Sequence, residues 1–218
     1  MTSAAGAADL FDRYPVYRQG LQWLEQFVTR PHPDLGRPGA VCPRLASSLH
    51  ADTVWLTAIT VTGVSPEHAI AAGHLLRHLF EDLAGGPRRQ SAALLGFFPE
   101  LPAQHAADFI DGGHQLLRPW FVEHGLMLGE FHPTSAVTSV HNRAMPVMRC
   151  PAPMFAVRAI TPHDLIFLDQ PGTSPGARLA HLRNFGTHVG ARLSPAARAD
   201  LQARIGDLLR ASTEGQST

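Results

Sequence analysis

A carboxylate, an imidazole and a guanidinium stand out on two short β-type segments. In Leu126–His132, alternation puts Leu126, Leu128, Glu130 and His132 on one face. An acid and an imidazole thus share a side with two apolar residues near a strand's end. A buried acid is costly unless paired, so Glu130 needs a partner or a ligand. In Met154–Ile160 the same alternation groups Met154, Ala156, Arg158 and Ile160, with Arg158 the only charge. Two readings fit these residues. One is a structural Glu130–Arg158 ion pair across the sheet. The other has one or both meeting a charged ligand, and the two are compatible if the ligand arrives beside the pair. The loop between the strands carries His141, Asn142, Arg143 and Arg149 and ends at Cys150. Polar residues on a long loop between rigid strands suit a binding site, and they equally suit ordinary solvation.

The chain holds 13 histidines, which raises the prior for metal or haem ligation. His50 follows Cys42-Pro43 and directly precedes the first strand. A histidine at a strand entrance can reach across an open sheet face, although a lone histidine is more often an ordinary surface or core residue. His74 and His78 have the i, i+4 spacing that can clamp a metal ion. The apolar face of their helix is Ala72, Leu76, Leu79 and Leu83, so this pair reads as solvated surface. The two cysteines, Cys42 and Cys150, are expected as free thiols. The sequence has no lysine, which excludes Schiff-base catalysis and a P-loop lysine.

The elements that must position these residues follow from pattern. Residues 12–29 read as a helix with Leu21, Trp23, Leu24, Phe27 and Val28 on its apolar side. Residues 30–44 are rich in proline and glycine and read as irregular. Thr53–Thr62 is a strand, and Ser65-Pro66 then starts a helix to Leu83. Ser91–Phe98 is a second strand, and 103–124 a helix kinked or broken at Pro119. Leu126–His132 and Met154–Ile160 are the third and fourth strands, joined by the loop 133–152. Ser194-Pro195 starts a closing helix to Arg210. This order predicts a single α+β domain over 1–218, a ferredoxin-like sandwich whose mainly antiparallel sheet carries helices on one face. An irregular N-terminal helix and loop (1–52) and a C-terminal helix (194–211) frame it.

At 218 residues, 44% hydrophobic and 17% charged, the chain has the composition of a globular protein. Its formal net charge is zero, so bulk electrostatics favours neither nucleic acid nor an anionic membrane. No apolar run approaches the roughly 20 residues of a spanning helix. Met1–Asp9 lacks the features of a secretory signal, and a cytoplasmic location is expected.

Several spaced motifs occur together: Trp23-Leu24-Glu25, Gly36–Pro43 (GRPGAVCP), Phe98-Pro99, Gly125–Pro133 (GLMLGEFHP), Asn142-Arg143 and Pro151–Arg158 (PAPMFAVR). In this order they resemble a group of actinobacterial proteins with an otherwise uncharacterised domain, among them the haem-dependent L-arginine Nω-hydroxylase of D-cycloserine biosynthesis. The resemblance runs from about Trp23 to Leu168. It implies haem b with a histidine as iron ligand, mapped to His50, with His132 of the FHP motif as the alternative. It implies a monooxygenase that hydroxylates a guanidino nitrogen of L-arginine, using O2 or peroxide and an electron donor, in antibiotic biosynthesis. Arg44 stands where the related sequences carry phenylalanine after Cys-Pro.

Within that implication Glu130 is the candidate carboxylate for the substrate guanidinium, and Asn142 a second substrate contact. Arg143, Arg149 and Arg158 are candidate partners of haem propionates and the substrate carboxylate. His132 is the candidate that positions oxygen or passes protons. Thiolate ligation by Cys42 or Cys150 ranks below histidine. The alternatives are a haem enzyme acting on another nitrogenous substrate, a non-catalytic haem or small-molecule binding protein, and a cofactor-free protein with Glu130 and Arg158 paired for stability. A homodimer is compatible with all of them.

Overall fold

The computed structural model describes residues 1–214. Where the sequence leads one to expect a single domain, the chain forms two compact units. One comprises Met1–Leu117 and Leu128–Ala159, the other Arg118–Met127 and the described residues from Ile160 onward.

The first unit is built on a sheet in the order β1 (Thr2–Ser3), β2 (Val54–Ala58), β3 (Ala93–Phe97), β5 (Met154–Ala159), β4 (Leu126–Phe131). The architecture is α+β, as expected: an open, mostly antiparallel five-stranded sheet with helices. β2 and β3 are the parallel pair. Parallel neighbours need a crossover, and helix α3 (Pro66–Leu83) supplies it. A ferredoxin-like sandwich would separate these two strands by another; here they are direct neighbours. Ile160 donates to the Gly125 carbonyl, and Gly129 lies beside Ala156, so β4 runs antiparallel to β5 and parallel to β3.

Alternation divides the sheet into two faces. Leu95, Phe97 and Met154 pack in one core with Tyr17, Leu21, Leu24 and Val28. Those four come from helix α1 (Pro15–Trp23) and the π-helical turn Leu24–Val28 that extends it. A Cβ on Gly20 would meet the Phe97 ring at 2.4 Å, so glycine sets how closely α1 approaches. The other face packs against α3, where Leu76 lies over Gly96. Helices therefore cover both faces, not one.

Three local expectations change. A short helix α2 (Leu45–His50) forms ahead of β2, so His50 ends a helix and the turn Ala51–Thr53 separates it from the strand. Helix α4 (Gly113–Glu123) continues through Pro119. The irregularity comes earlier instead, in the π-helical turn Asp108–Gly112.

The second unit contains α5 (Leu165–Leu168), α6 (Pro175–Val189) and α7 (Pro195–Glu214), of which the sequence reading anticipated only the last. Leu168, Leu182, Phe185, Val189 and Leu201 form its core. Burial alone would raise the Asp169 carboxyl, but the Arg178 and Arg204 guanidiniums bonded to it hold it below its ordinary value. Among the described residues no helix is long and apolar enough to cross a membrane.

Candidate functional site

Titratable side chains gather at the carboxyl end of β4, on the α3–α4 face of the sheet. His132 is fully buried. Its Nε2 lies 3.0 Å from Asp111 Oδ1 and its Nδ1 3.2 Å from Thr134 Oγ1. The neutral ring satisfies both contacts if Thr134 donates to Nδ1 and Nε2–H donates to the Asp111 carboxylate. Asp111 itself is half-exposed, its side chain 44% accessible. Two positions back along the same strand face, the Glu130 carboxylate contacts His114 Nδ1. His114 Nε2 bonds the Leu128 carbonyl at 3.0 Å.

Local sequence explains this assembly. Asp111 sits in the π-helical turn and His114 in the first turn of α4, so each faces β4. The intervening glycines let this segment press onto the start of α3. A Cβ on Gly113 would lie 2.3 Å from that of Ala69, and one on Gly112 2.8 Å from Pro66 Cγ. The cluster also lies at the carboxyl ends of β2, β3 and β4, where open sheets with parallel strands hold ligands. π-helical turns recur at such sites.

The structure separates the residues singled out in the sequence. Arg158 pairs in register with Ala93, on the α1 face and at the amino end of β3. Glu130 is on the opposite face, so His114 takes the place expected for Arg158 in the ion pair. Arg158 donates to the Ala159 carbonyl at 3.2 Å. His50 is exposed and three residues before Thr53, whose carbonyl accepts from Ala93. His50 and Arg158 therefore belong to one end of the sheet, Glu130 and His132 to the other.

The long loop is anchored by its polar residues. Asn142 Nδ2 donates to the Asp34 carbonyl at 2.7 Å, and its Oδ1 accepts from Ala144 N–H. Gly36 has φ +79°, and a Cβ there would lie 2.6 Å from the His141 carbonyl oxygen. That close approach, with Leu35, Met145 and Val147 buried together, docks the loop on the Pro33–Leu35 turn. Arg149 donates to the Ser135 carbonyl at 3.0 Å, whereas Arg143 is exposed. His74 and His78 are both exposed, in keeping with the surface reading. Cys42 and Cys150 are free thiols. Burial pushes the Cys150 thiol up to about 12, which opposes a thiolate ligand there.

Asp111, His114 and Thr134 escaped the sequence reading. The one signal for the first two was Gly112-Gly113 inside a helical pattern, with an acid and an imidazole on either side.

A model of the domain of unknown function DUF6875 matches residues 17–196. The chain belongs to the DUF6875 family. No curated protein and no solved structure matches it. The DUF6875 match begins within α1 and runs through α6, so it includes β2 to β5 with both His50 and His132.

Proposed function

We propose that this DUF6875 protein is a cytoplasmic, haem-dependent monooxygenase that hydroxylates a guanidino nitrogen of L-arginine in antibiotic biosynthesis of the D-cycloserine type. The family resemblance of its spaced motifs supplies the activity. The observation that carries the iron assignment is a contrast between two imidazoles. His50 is exposed, while both ring nitrogens of His132 are already engaged.

His50 shares its end of the sheet with Arg158, and small residues run along the α1 face. On the α1 face, Ala93, Ala156 and Gly129 keep the sheet surface low. His50 would hold the iron and Arg158, at the same end of the sheet, a propionate. When bound, haem supplies the oxidising chemistry that a protonated, poorly nucleophilic guanidine requires. Glu130 and Asn142 take no part in this reading, because one is engaged by His114 and the other by the Asp34 carbonyl.

That engagement of Glu130 favours a second reading, a haem-binding protein that does not turn over arginine. An absorption spectrum of protein expressed with haem, recorded with and without arginine and a reductant, tests both. A Soret band that shifts on adding arginine, with hydroxyarginine formed, supports the enzyme. A Soret band indifferent to arginine supports the binding protein. A colourless protein that takes up no added haemin ends both readings. Loss of haem in His132→Ala but not in His50→Ala would overturn the ligand assignment.

A further inference from the structure

The second unit carries a groove of about 440 Å³ between α6 and α7. Arg183, Thr187, Arg198 and Gln202 line it together with Gly186 and Gly190. Arg183, Arg198 and Gln202 have side-chain donors to offer, and two of the three are cations. The ion pairing of the unit leaves those two cations over. Asp169 is taken by Arg178 and Arg204, Asp200 by Arg204 and Asp207 by Arg210. Arg183 and Arg198 meet no carboxylate among the described residues. Arg198 donates to the Leu193 carbonyl at 3.5 Å, a weak contact.

We propose that this groove binds the oxyanion of a small molecule, a phosphoryl or carboxylate group. Two guanidinium forks recognise such oxygens with paired donors. Gln202 adds an amide, while Thr187 spends its hydroxyl proton on the Arg183 carbonyl at 3.1 Å. The glycines keep the floor low. A Cβ on Gly186 would reach Leu201 at 3.4 Å, and one on Gly190 would meet nothing within 4 Å. Gly190 has ordinary right-handed helical angles, φ −52° and ψ −38°, so its lack of a side chain opens space and answers no backbone need. The groove is open to water, so binding is salt-sensitive.

The test uses inorganic phosphate and succinate as separate probes, titrated at low ionic strength into the full-length ¹⁵N-labelled protein. A saturable shift of the Gly186, Gly190 and Gln202 signals is expected from at least one of them. A response to phosphate alone assigns a phosphoryl ligand, and a response to succinate alone a carboxylate. Arg183→Gln and Arg198→Gln should each weaken binding about ten-fold. Gly190→Leu should abolish it while the melting temperature holds. The proposal fails if neither probe saturates. It fails equally if binding survives Gly190→Leu in a folded protein, or survives the double arginine substitution.

Discussion

The two ends of the sheet in the first unit use similar residue types in opposite ways. At the carboxyl end, His132 is buried, His114 is half-buried, and each imidazole nitrogen has a partner: Asp111, Thr134, Glu130 and the Leu128 carbonyl. At the amino end, His50 stands exposed at the close of a short helix, with Arg158 on the neighbouring face. A buried imidazole whose nitrogens are engaged holds a structure in place. An exposed one can take a new ligand. Residue type alone does not distinguish the two; the count of satisfied lone pairs and protons does.

The largest effect should come from removing the centre of the wired end. His132→Ala deletes a fully buried ring and two hydrogen bonds, so a loss of about 3 kcal/mol is expected in chemical denaturation. A loss no greater than that of an exposed substitution would show that the cluster does not hold this end together. Gly113→Ala comes next. Its Cβ would overlap that of Ala69, and overpacking of this kind costs about 2 kcal/mol. If the melting temperature is unchanged, the close approach to α3 does not position Asp111 and His114.

Glu130→Gln removes the charge that meets His114 and should cost about 1–2 kcal/mol. The same variant, loaded with haem, should keep the wild-type midpoint for any arginine-induced Soret shift. A midpoint displaced about ten-fold or more would return Glu130 to the substrate site.

His181 in the second unit sharpens the comparison. It is buried like His132, but among the described residues neither ring nitrogen has a well-formed hydrogen bond. Burial and the nearby Arg118 charge lower its pKa from the ordinary value of 6.5, and the Leu168 backbone only partly offsets this. A neutral ring is thus favoured when folded. As pH falls below 6.5 the unfolded chain takes up a proton that the folded chain resists, so stability declines towards the lowered folded value. His181→Leu should flatten that part of the stability–pH curve. An equally steep curve in the variant would assign the acid sensitivity to other groups.

The smallest change in stability belongs to the exposed end. His50→Ala should alter it by less than about 0.5 kcal/mol, as exposed substitutions usually do, while removing most bound haem. A large destabilisation would mean that His50 caps α2 or braces the strand entrance. It would then sit closer in role to His132 than its exposure suggests.

Much of this was written into the sequence. Alternation in Leu126–His132 and Met154–Ile160, the β-branched run Thr53–Thr62, of which Val54–Ala58 forms the strand, and Ser65-Pro66 ahead of an apolar stripe gave the strands, helix α3 and the α+β class. Period and capping are local properties, carried by neighbouring residues. Alternation also put Glu130 and His132 on one face. It could not say that Arg158 lies on the other, because the relative register of β4 and β5 across a long loop is not a local property. Tertiary structure decided the rest. Asp111 and His114 reach their partners only because a π-helical turn and two glycines bring the start of α4 onto α3, and a pattern reader sees glycines there as interruptions. Helix α6 escaped for a related reason. His181 sits among its buried residues, so its inner face is not apolar throughout. Whether a histidine is wired or available depends on which groups from distant segments reach its two nitrogens, and only the folded chain brings those groups together.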